Sequence, residues 1–350
     1  MTALASMTAP PATATGRETI VVVSLDTEED NWTPARDGIT VENIRELPRM
    51  QRFCERLGIR PTYFTTWQVA TVPWAAEIIA DLADADAEIG AHLHPWNTPP
   101  LEEAFEPRLT MTGNLPPALQ RAKLERLTDA VAAAAGVVPR SFRAGRFGIG
   151  RETPAALAAC GYEVDSSVTP WLDWSRYDEG PSHVGAPVHA YRLAAGADVR
   201  EPAAEGEMLE VPLSSGYTRL PFGFWHRVYE LFERPALQPL RLTGIASHLG
   251  LMRKVVMSPE NDTARDMLAL SRALVAAGTG FVQLYLHTPT LRAGLSPYAP
   301  TARDVERMYD TIEEYVTTLA AETPVRFATV YEAARLLEAR GALHPAGAAA

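Results

Sequence analysis

Residues 20–28 read Ile20-Val21-Val22-Val23-Ser24-Leu25-Asp26-Thr27-Glu28, a β-branched apolar run that ends in acidic residues. A run that is apolar on both faces is typical of a strand buried inside a parallel sheet. The next segment, residues 47–57, has apolar side chains at helical spacing, and Gly58 follows it as a candidate C-terminal cap. A buried strand followed by an amphipathic helix is the first unit of an α/β fold.

The alternation of short apolar runs with amphipathic segments continues along the chain. Further strands are predicted at 62–66, 88–93, 141–142, 162–164, 208–213, 281–286 and 326–330. Helices are predicted around 124–131, 267–274 and 305–319, and Thr301 and Asp304 have the spacing of a capping box before the last. Seven or eight strands with helical crossovers favour a parallel sheet, and their number suits closure into a barrel.

The domain organisation is predicted from breaks in this rhythm. Residues 1–17 are rich in Ala, Thr and Pro and lack the features of a secretory signal, and residues 341–350 are rich in Ala and Gly. Both are predicted to be disordered tails around one domain at 18–340. Residues 173–259 are predicted to form long loops around a single strand, an insertion with room for a small subdomain.

Composition excludes several classes of protein. The 350 residues are 47% hydrophobic and 21% charged, which is a globular composition with a sizeable core. The net charge of −11 disfavours nucleic acid or an anionic membrane as the main partner. Cys54 and Cys160 are too few for a disulfide framework or a thiolate metal cage. No apolar run approaches the roughly 20 residues of a membrane span, and we expect a cytoplasmic protein.

Reactive side chains follow five of the predicted strands. They are Asp26 and Glu28, His92 and His94, Arg143, Asp165, and His287. The carboxyl ends of the strands in a β/α barrel meet at one mouth, where catalytic groups are built. The sequence therefore predicts one site that draws on five strand ends.

The acidic turn and the His-x-His pair indicate a metal site. His92 and His94 can point the same way in an extended segment, and two imidazoles with a carboxylate leave a zinc position open for water. Alternatively, one or both rings hydrogen-bond the backbone near Trp96. Asp26 is predicted to bind the metal or to accept a proton, whereas Glu29 and Asp30 are predicted to lie in a solvated loop.

Three more groups at the predicted mouth have two interpretations each. His287 ends an apolar run, where it either caps the strand or acts as a general acid. Arg143 and Arg146 bracket Ala144-Gly145, and an arginine at a barrel mouth orients a carboxylate or binds a substrate oxygen.

Taken in order, these motifs resemble those of the NodB-type polysaccharide deacetylases, carbohydrate esterase family four, over about residues 20–330. Residues 24–28 are similar to the first motif, usually Thr-Phe-Asp-Asp-Gly, and residues 88–94 to the second, with its two histidines four apart. Residues 142–148 resemble the arginine motif, usually Arg-x-Pro-Tyr. Residues 162–171 resemble the fourth motif, and Leu-Tyr-Leu-His at 284–287 resembles the final Leu-x-x-His.

The resemblance implies a distorted (β/α)7–8 barrel and a divalent metal, usually zinc, held by one Asp and two His. It implies that metal-activated water attacks an acetamide carbonyl. By position, Asp26 matches the base, His92 a ligand, His287 the acid that protonates the leaving amine, and Arg143 the arginine that steadies the base. The predicted metal set is Asp26, Glu28, His92 and His94, and the predicted substrate-binding residues are Trp96, Arg146 and Asp165.

The chain departs from the family pattern at three places. Thr27 stands where the usual metal-binding Asp is expected, so Asp26 or Glu28 takes that role, and His94 follows His92 by two residues rather than four. Residues 145–146 are Gly-Arg instead of Pro-Tyr. These features predict a divergent hydrolase that removes an N-acetyl or N-formyl group from an amino sugar in a polysaccharide or glycan precursor. The alternatives are hydrolysis of another non-peptide C–N bond and a catalytically silent sugar-binding relative.

Overall fold

A computed structural model of the chain describes residues 18–248 and 251–347. The strands are β1 (Thr19–Thr27), β2 (Thr62–Thr65), β3 (Glu88–Leu93), β4 (Ser141–Ala144), β5 (Val164–Asp165), β6 (Tyr191–Leu193), β7 (Met208–Glu210), β8 (Gly216–Tyr217), β9 (Lys254–Val255), β10 (Phe281–His287) and β11 (Val325–Phe327). The helices are α1 (Leu47–Arg56), α2 (Trp67–Thr71), α3 (Pro73–Asp84), α4 (Pro117–Ala135), α5 (Thr153–Ala159), α6 (Phe222–Phe232), α7 (Leu242–His248), α8 (Ala264–Ala277), α9 (Ala302–Glu322) and α10 (Val330–Ala339).

Among the described residues, nine strands form one sheet in the order β10-β1-β2-β3-β4-β5-β7-β6, with β11 also beside β1. Neighbours in this sheet are parallel, apart from the antiparallel pair β6–β7. The sheet curls into an incomplete barrel. The backbone N–H of Gln283 on β10 donates to the side-chain Oγ of Ser214, which follows β7, over 2.8 Å, and this bond connects the two sides of the opening. The predicted distorted (β/α) barrel is confirmed.

The alternation of side chains along β1 separates the interior of the barrel from its outer layer. Ile20 and Val22 belong to an inner apolar cluster, whereas Val21, Val23 and Leu25 pack in the larger cluster with the helices. Because side chains alternate along a strand, Ser24 and Asp26 lie on the inner face above Ile20 and Val22. The barrel is therefore apolar at one end and polar at the carboxyl ends of its strands.

The insertion is more ordered than predicted. The prediction was a single strand among long loops, but residues 173–259 contain four strands and two helices, namely β6, β7, β8, β9, α6 and α7. β6 and β7 extend the barrel sheet, while β8 and β9 form a separate antiparallel pair. The sequence signal is weak because strands of two or three residues are too short to show periodicity.

The ends of the chain were predicted to be disordered. Residues 1–17 and 348–350 lie outside the described residues. Residues 341–347 are described and they contact the domain, since Ala342 N–H donates to Leu337 O over 2.9 Å and His344 N–H to Ala190 O over 2.7 Å. Among the described residues, none of the helices combines the length and the hydrophobicity of a membrane span.

Burial of His183 is expected to make the stability of the fold depend on pH. Its buried Nδ1 accepts from the backbone N–H of Thr169, and burial lowers the pKa of His183 from 6.5 to about 3. The unfolded chain therefore binds a proton that the folded chain does not, and stability is lost as the pH falls below the unfolded pKa. We expect His183 to account for about 2 kcal/mol of lost stability between about pH 8 and about pH 5.

The His183→Asn variant tests this contribution, because Asn Oδ1 can still accept from the Thr169 N–H but does not titrate. Urea unfolding at several pH values should show a flatter dependence on pH in the variant than in the wild type. Parallel pH profiles for the two proteins would contradict this assignment.

Candidate active site

A cavity of about 280 Å³ opens at the carboxyl ends of the barrel strands. The acidic and imidazole groups in its wall are Asp26, Glu28, His92, His94 and His287. The rest of the lining is mostly apolar or aromatic, namely Asn31, Trp32, Pro34, Trp96, Met111, Arg146, Phe147, Trp174 and Tyr177. Five of the seven residues predicted to meet at one mouth therefore line this cavity. The other two, Arg143 and Asp165, are not among the described residues in its wall.

Asp26 is held from below by the fully buried Arg143. Arg143 Nη1 donates to Asp26 Oδ1 over 2.5 Å, and Nη2 donates to Ser24 Oγ over 2.8 Å. Arg143 Nε donates to the carbonyl of Ser166 over 2.9 Å, and the guanidinium lies 4.3 Å from the centre of the Phe64 ring. Burial raises the pKa of Asp26, but the positive charges of Arg143, His92 and His287 together outweigh burial, and the pKa is lowered. Arg143 thus keeps Asp26 ionised and directs its Oδ1 away from the cavity.

Glu28, His92 and His94 bring three possible ligand atoms together within 4.8 Å of one another. Glu28 Oε2 lies 3.6 Å from His92 Nε2 and 3.2 Å from His94 Nε2. The other nitrogen of His92, Nδ1, donates to the carbonyl of Arg143 over 3.0 Å, which leaves the Nε2 lone pair toward Glu28. One carboxylate and two imidazoles are a ligand set that zinc accepts, so these residues fit a divalent metal.

Glu29 and Asp30 are buried, so their predicted location in a solvated loop is wrong. Glu29 is 1% exposed, and its Oε1 accepts from His94 Nδ1 over 2.7 Å and from Asn97 Nδ2 over 2.5 Å. Asp30 accepts from Thr40 Oγ1 over 2.6 Å and from the backbone N–H of Asn43 over 2.9 Å. Folding brings these donors to the acidic turn, which lets the carboxylates stay buried.

The two carboxylates around His94 determine its charge. Burial disfavours the protonated ring, but Glu29 on one side and Glu28 on the other raise the pKa of His94 to about 10. A bound cation would compete with the proton at Nε2, because that nitrogen faces Glu28.

His287 faces Asp26 across the cavity and is paired with Glu260. His287 Nδ1 donates to Glu260 Oε2 over 2.9 Å, and its backbone N–H donates to Glu260 Oε1 over 3.0 Å. The other ring nitrogen, Nε2, lies 3.7 Å from Asp26 Oδ2. Burial opposes protonation, but Glu260, together with Glu28 and Asp26, outweighs burial and raises the pKa of His287 to about 10. Sequence reasoning did not find Glu260, because nothing near it in the chain distinguishes it from other acidic loop residues.

The predicted substrate-binding residues separate into two groups. Trp96 and Arg146 line the cavity, and the Trp96 ring stacks on His94 with centroids 4.1 Å apart. Asp165 is fully buried elsewhere, where it accepts from the Oγ of Ser167 over 2.6 Å and pairs in register with Glu210. Burial raises the pKa of both carboxyl groups. The placement of Asp165 gives no support to its predicted contact with substrate.

Arg146 and Phe147 form a strained rim. Both have φ of +55°, a conformation that costs non-glycine residues about 1–3 kcal/mol each and that tends to occur at functional sites. Contacts hold them there, since Arg146 Nη2 donates to Asp178 Oδ2 over 2.7 Å and the Phe147 ring stacks on Trp174 at 5.2 Å. Trp174 and Tyr177 come from the predicted insertion, so this segment supplies one wall of the cavity.

Gly145 is required by the close approach of His94. A Cβ atom at this position would lie 2.6 Å from His94 Cδ2 and 2.6 Å from the carbonyl oxygen of Leu93. We expect Gly145→Ala to displace the imidazole, to cost about 1–3 kcal/mol of stability and to lower turnover by on the order of 10²-fold.

Gly244→Ala is the matched control for this substitution, because nothing lies within 4 Å of a Cβ atom there and α7 favours alanine. Thermal unfolding and kinetics of both variants check the prediction. A Gly145→Ala enzyme as active as Gly244→Ala would contradict it.

Comparison with known proteins identifies the fold. No protein-family model matches the chain, and no curated protein matches it. A solved structure from Mycobacterium smegmatis, described as a candidate polysaccharide deacetylase, has a TM-score of 0.55 and 20% identity over 98% of each chain. Puue allantoinase has a TM-score of 0.52 and 13% identity over 97% of this chain and 96% of its own.

A more distant structure, a family 4 acetyl xylan esterase from Clostridium thermocellum in complex with a cobalt ion, has a TM-score of 0.41. It shares 13% identity with the chain over 92% of each. The first two likenesses show that the chain has the barrel fold expected from its motifs, a fold that a candidate polysaccharide deacetylase and an allantoinase share.

Proposed function

We propose that the chain is a metal-dependent hydrolase that removes an N-acetyl or N-formyl group from an amino sugar in a polysaccharide or glycan precursor. One observation carries the proposal: Asp26 Oδ2 lies 4.0 Å from His92 Nε2 in the cluster of ligand atoms and 3.7 Å from His287 Nε2. A candidate base, a candidate metal position and a candidate general acid thus share one cavity, and these are the groups that amide hydrolysis needs.

Glu28, His92 and His94 would hold the metal, with zinc as the preferred ion. The sequence left Asp26 and Glu28 as alternative ligands. Glu28 suits that role better, because its Oε2 is within 3.6 Å of both imidazoles while Asp26 Oδ1 is bound to Arg143. A divalent metal held there would lower the pKa of a coordinated water to about 7 and polarise a substrate carbonyl.

Asp26 is the proposed general base. Arg143 binds Oδ1 and keeps the carboxylate ionised, so Oδ2 remains to accept a proton from the attacking water. Ser24 and the carbonyl of Ser166 bind the rest of the guanidinium, which keeps Arg143 from moving as the charge on Asp26 changes.

His287 is the proposed general acid. Its raised pKa keeps the ring protonated near neutral pH, and Glu260 holds Nδ1 so that Nε2 points toward Asp26. An amine is a poor leaving group unless it is protonated, and Nε2–H is placed to donate that proton. Glu260 acts through His287 and is a positioning residue.

The cavity walls support a small acylated sugar as the substrate. Trp96 and Arg146 remain the proposed binding residues, and Trp174 and Tyr177 from the insertion add an aromatic wall. Loops carry specificity in barrel enzymes, which supports a selecting role for this segment. The expected cytoplasmic location stays a prediction, which cell fractionation tests.

A mass-spectrometric substrate screen tests the function. The panel contains N-acetyl and N-formyl amino sugars, their nucleotide-linked forms, chitin oligomers and allantoin. Release of acetate or formate from the soluble sugars, faster than from chitin, is the expected result. Metal-loaded protein that turns over none of the acylated sugars would contradict the proposal.

The second candidate is hydrolysis of another non-peptide C–N bond. It is favoured by Gly145-Arg146 at the rim, since Arg146 lines the cavity where the family motif has Pro-Tyr. Turnover of allantoin, or of other ureides, without turnover of acylated sugars would establish this alternative.

A further inference from the structure

We propose that Glu29, supported by Asn97, is a positioning residue that fixes the ring orientation and tautomer of His94 for metal binding. The inference rests on the proposed metal-dependent function. Neither residue would bind the metal, since Glu29 contacts His94 at Nδ1 and not at Nε2, the nitrogen that faces Glu28.

The contacts of Glu29 define the role. Its Oε1 accepts from His94 Nδ1 over 2.7 Å and from Asn97 Nδ2 over 2.5 Å. Since a carboxylate only accepts, His94 Nδ1 carries a proton. The other ring nitrogen, Nε2, lies 3.2 Å from Glu28 Oε2 and would supply the ligand atom.

Glu29 is suited to hold the ring and not to bind the metal. It is 1% exposed and is not among the described residues that line the cavity. Its Oε1 already accepts hydrogen bonds from His94 and Asn97. Asn97 is 3% exposed, and its backbone N–H donates to the carbonyl of His94 over 3.3 Å. Together with the stacked Trp96 ring, these contacts leave His94 one orientation.

The two imidazoles are held by acceptors of different strength. His92 Nδ1 donates to the backbone carbonyl of Arg143, whereas His94 Nδ1 donates to a buried carboxylate. A charged acceptor makes a stronger hydrogen bond and makes the opposite nitrogen a better electron donor. We therefore expect His94 to depend on Glu29 for its strength as a ligand.

Metal affinity of Glu29→Ala and Glu29→Gln tests the inference. Competition with a chromophoric chelator measures Zn²⁺ affinity, and the visible spectrum of Co²⁺-loaded protein reports the ligand geometry. Glu29→Ala should bind about 10–100-fold more weakly with a changed Co²⁺ spectrum. Glu29→Gln keeps an accepting oxygen and should recover part of the affinity.

Asp30→Asn is the matched control, because Asp30 is a buried carboxylate of the same turn that accepts from Thr40, Glu42 and Asn43 and from no atom of the proposed ligands. It should keep wild-type metal affinity even if stability falls. Wild-type affinity and spectrum in folded Glu29→Ala would overturn the inference, and so would an equal loss in Asp30→Asn. If Glu29→Ala does not fold, unchanged affinity in Glu29→Gln overturns it. Wild-type protein that binds no metal would instead overturn the proposed function.

Discussion

His287→Ala is expected to lower turnover by about 10²–10⁴-fold while the metal content stays at the wild-type level. The reason is that the proposed role of His287, to protonate the leaving amine, is separate from metal binding, and His287 is not part of the Glu28, His92 and His94 cluster. Steady-state kinetics and elemental analysis of the same preparation measure both effects. A near-native rate would show that His287 only caps its strand.

His226→Ala is the matched control for that variant. His226 is also a partly buried histidine with a ring contact, since its Nδ1 lies 2.9 Å from the Tyr217 hydroxyl, but it is not among the described residues that line the cavity. We expect this variant to keep its turnover. A comparable loss in His226→Ala would point to a general loss of folded protein.

Asp26→Asn is expected to lower turnover by a similar factor of about 10²–10⁴ and also to destabilise the fold. Asparagine cannot act as the base, and it leaves the Arg143 charge buried without a counter-ion. Loss of one partner of a buried ion pair typically costs about 3–5 kcal/mol. Urea unfolding measures this cost, and metal content should stay unchanged because Glu28 is the proposed carboxylate ligand.

Ser24→Ala separates the two effects of Asp26→Asn. It removes a neutral partner of Arg143, the 2.8 Å bond to Nη2, and leaves the ion pair in place. We expect a cost of about 1 kcal/mol and a much smaller loss of turnover. Equal losses in both variants would contradict the separate role of Asp26 as a base.

The sequence predicted that these groups come together because each of them follows a predicted strand. Asp26 comes directly after the predicted strand at residues 20–25; in the structure β1 continues to Thr27, and Asp26 lies beside His287, its register partner on β10. His92 and Arg143 are register partners in the same way on β3 and β4. The order of the motifs and their positions at strand ends therefore suffice to collect these side chains at one end of the sheet.

The partners of these groups could not be predicted, because they depend on long-range packing. Glu260 reaches His287 across 27 positions of the chain, and Asn97 reaches Glu29 across 68. A hydrogen bond between such distant residues has no local pattern. The acidic turn also looked solvated, since the sequence does not show which donors will cover it.

Asp165 lies on the face of β5 that points away from the interior of the barrel, which is why its predicted contact with substrate is not supported. On β5, Val164 packs in the inner apolar cluster, so Asp165 next to it belongs to the opposite face. Its register partners are Phe142 and Glu210, and Phe142 packs in the outer cluster. The position of Asp165 after a predicted strand placed it at the mouth, but the pleat of β5 turns its side chain away.

We expect Glu28, His92 and His94 to hold one divalent metal ion beside Asp26. Elemental analysis of purified wild type, Glu28→Ala, His92→Ala and Asp26→Asn after dialysis measures this. About one equivalent of metal is expected in the wild type and in Asp26→Asn, and little in the other two variants. Full metal occupancy in Glu28→Ala or His92→Ala, or none in the wild type, would contradict it.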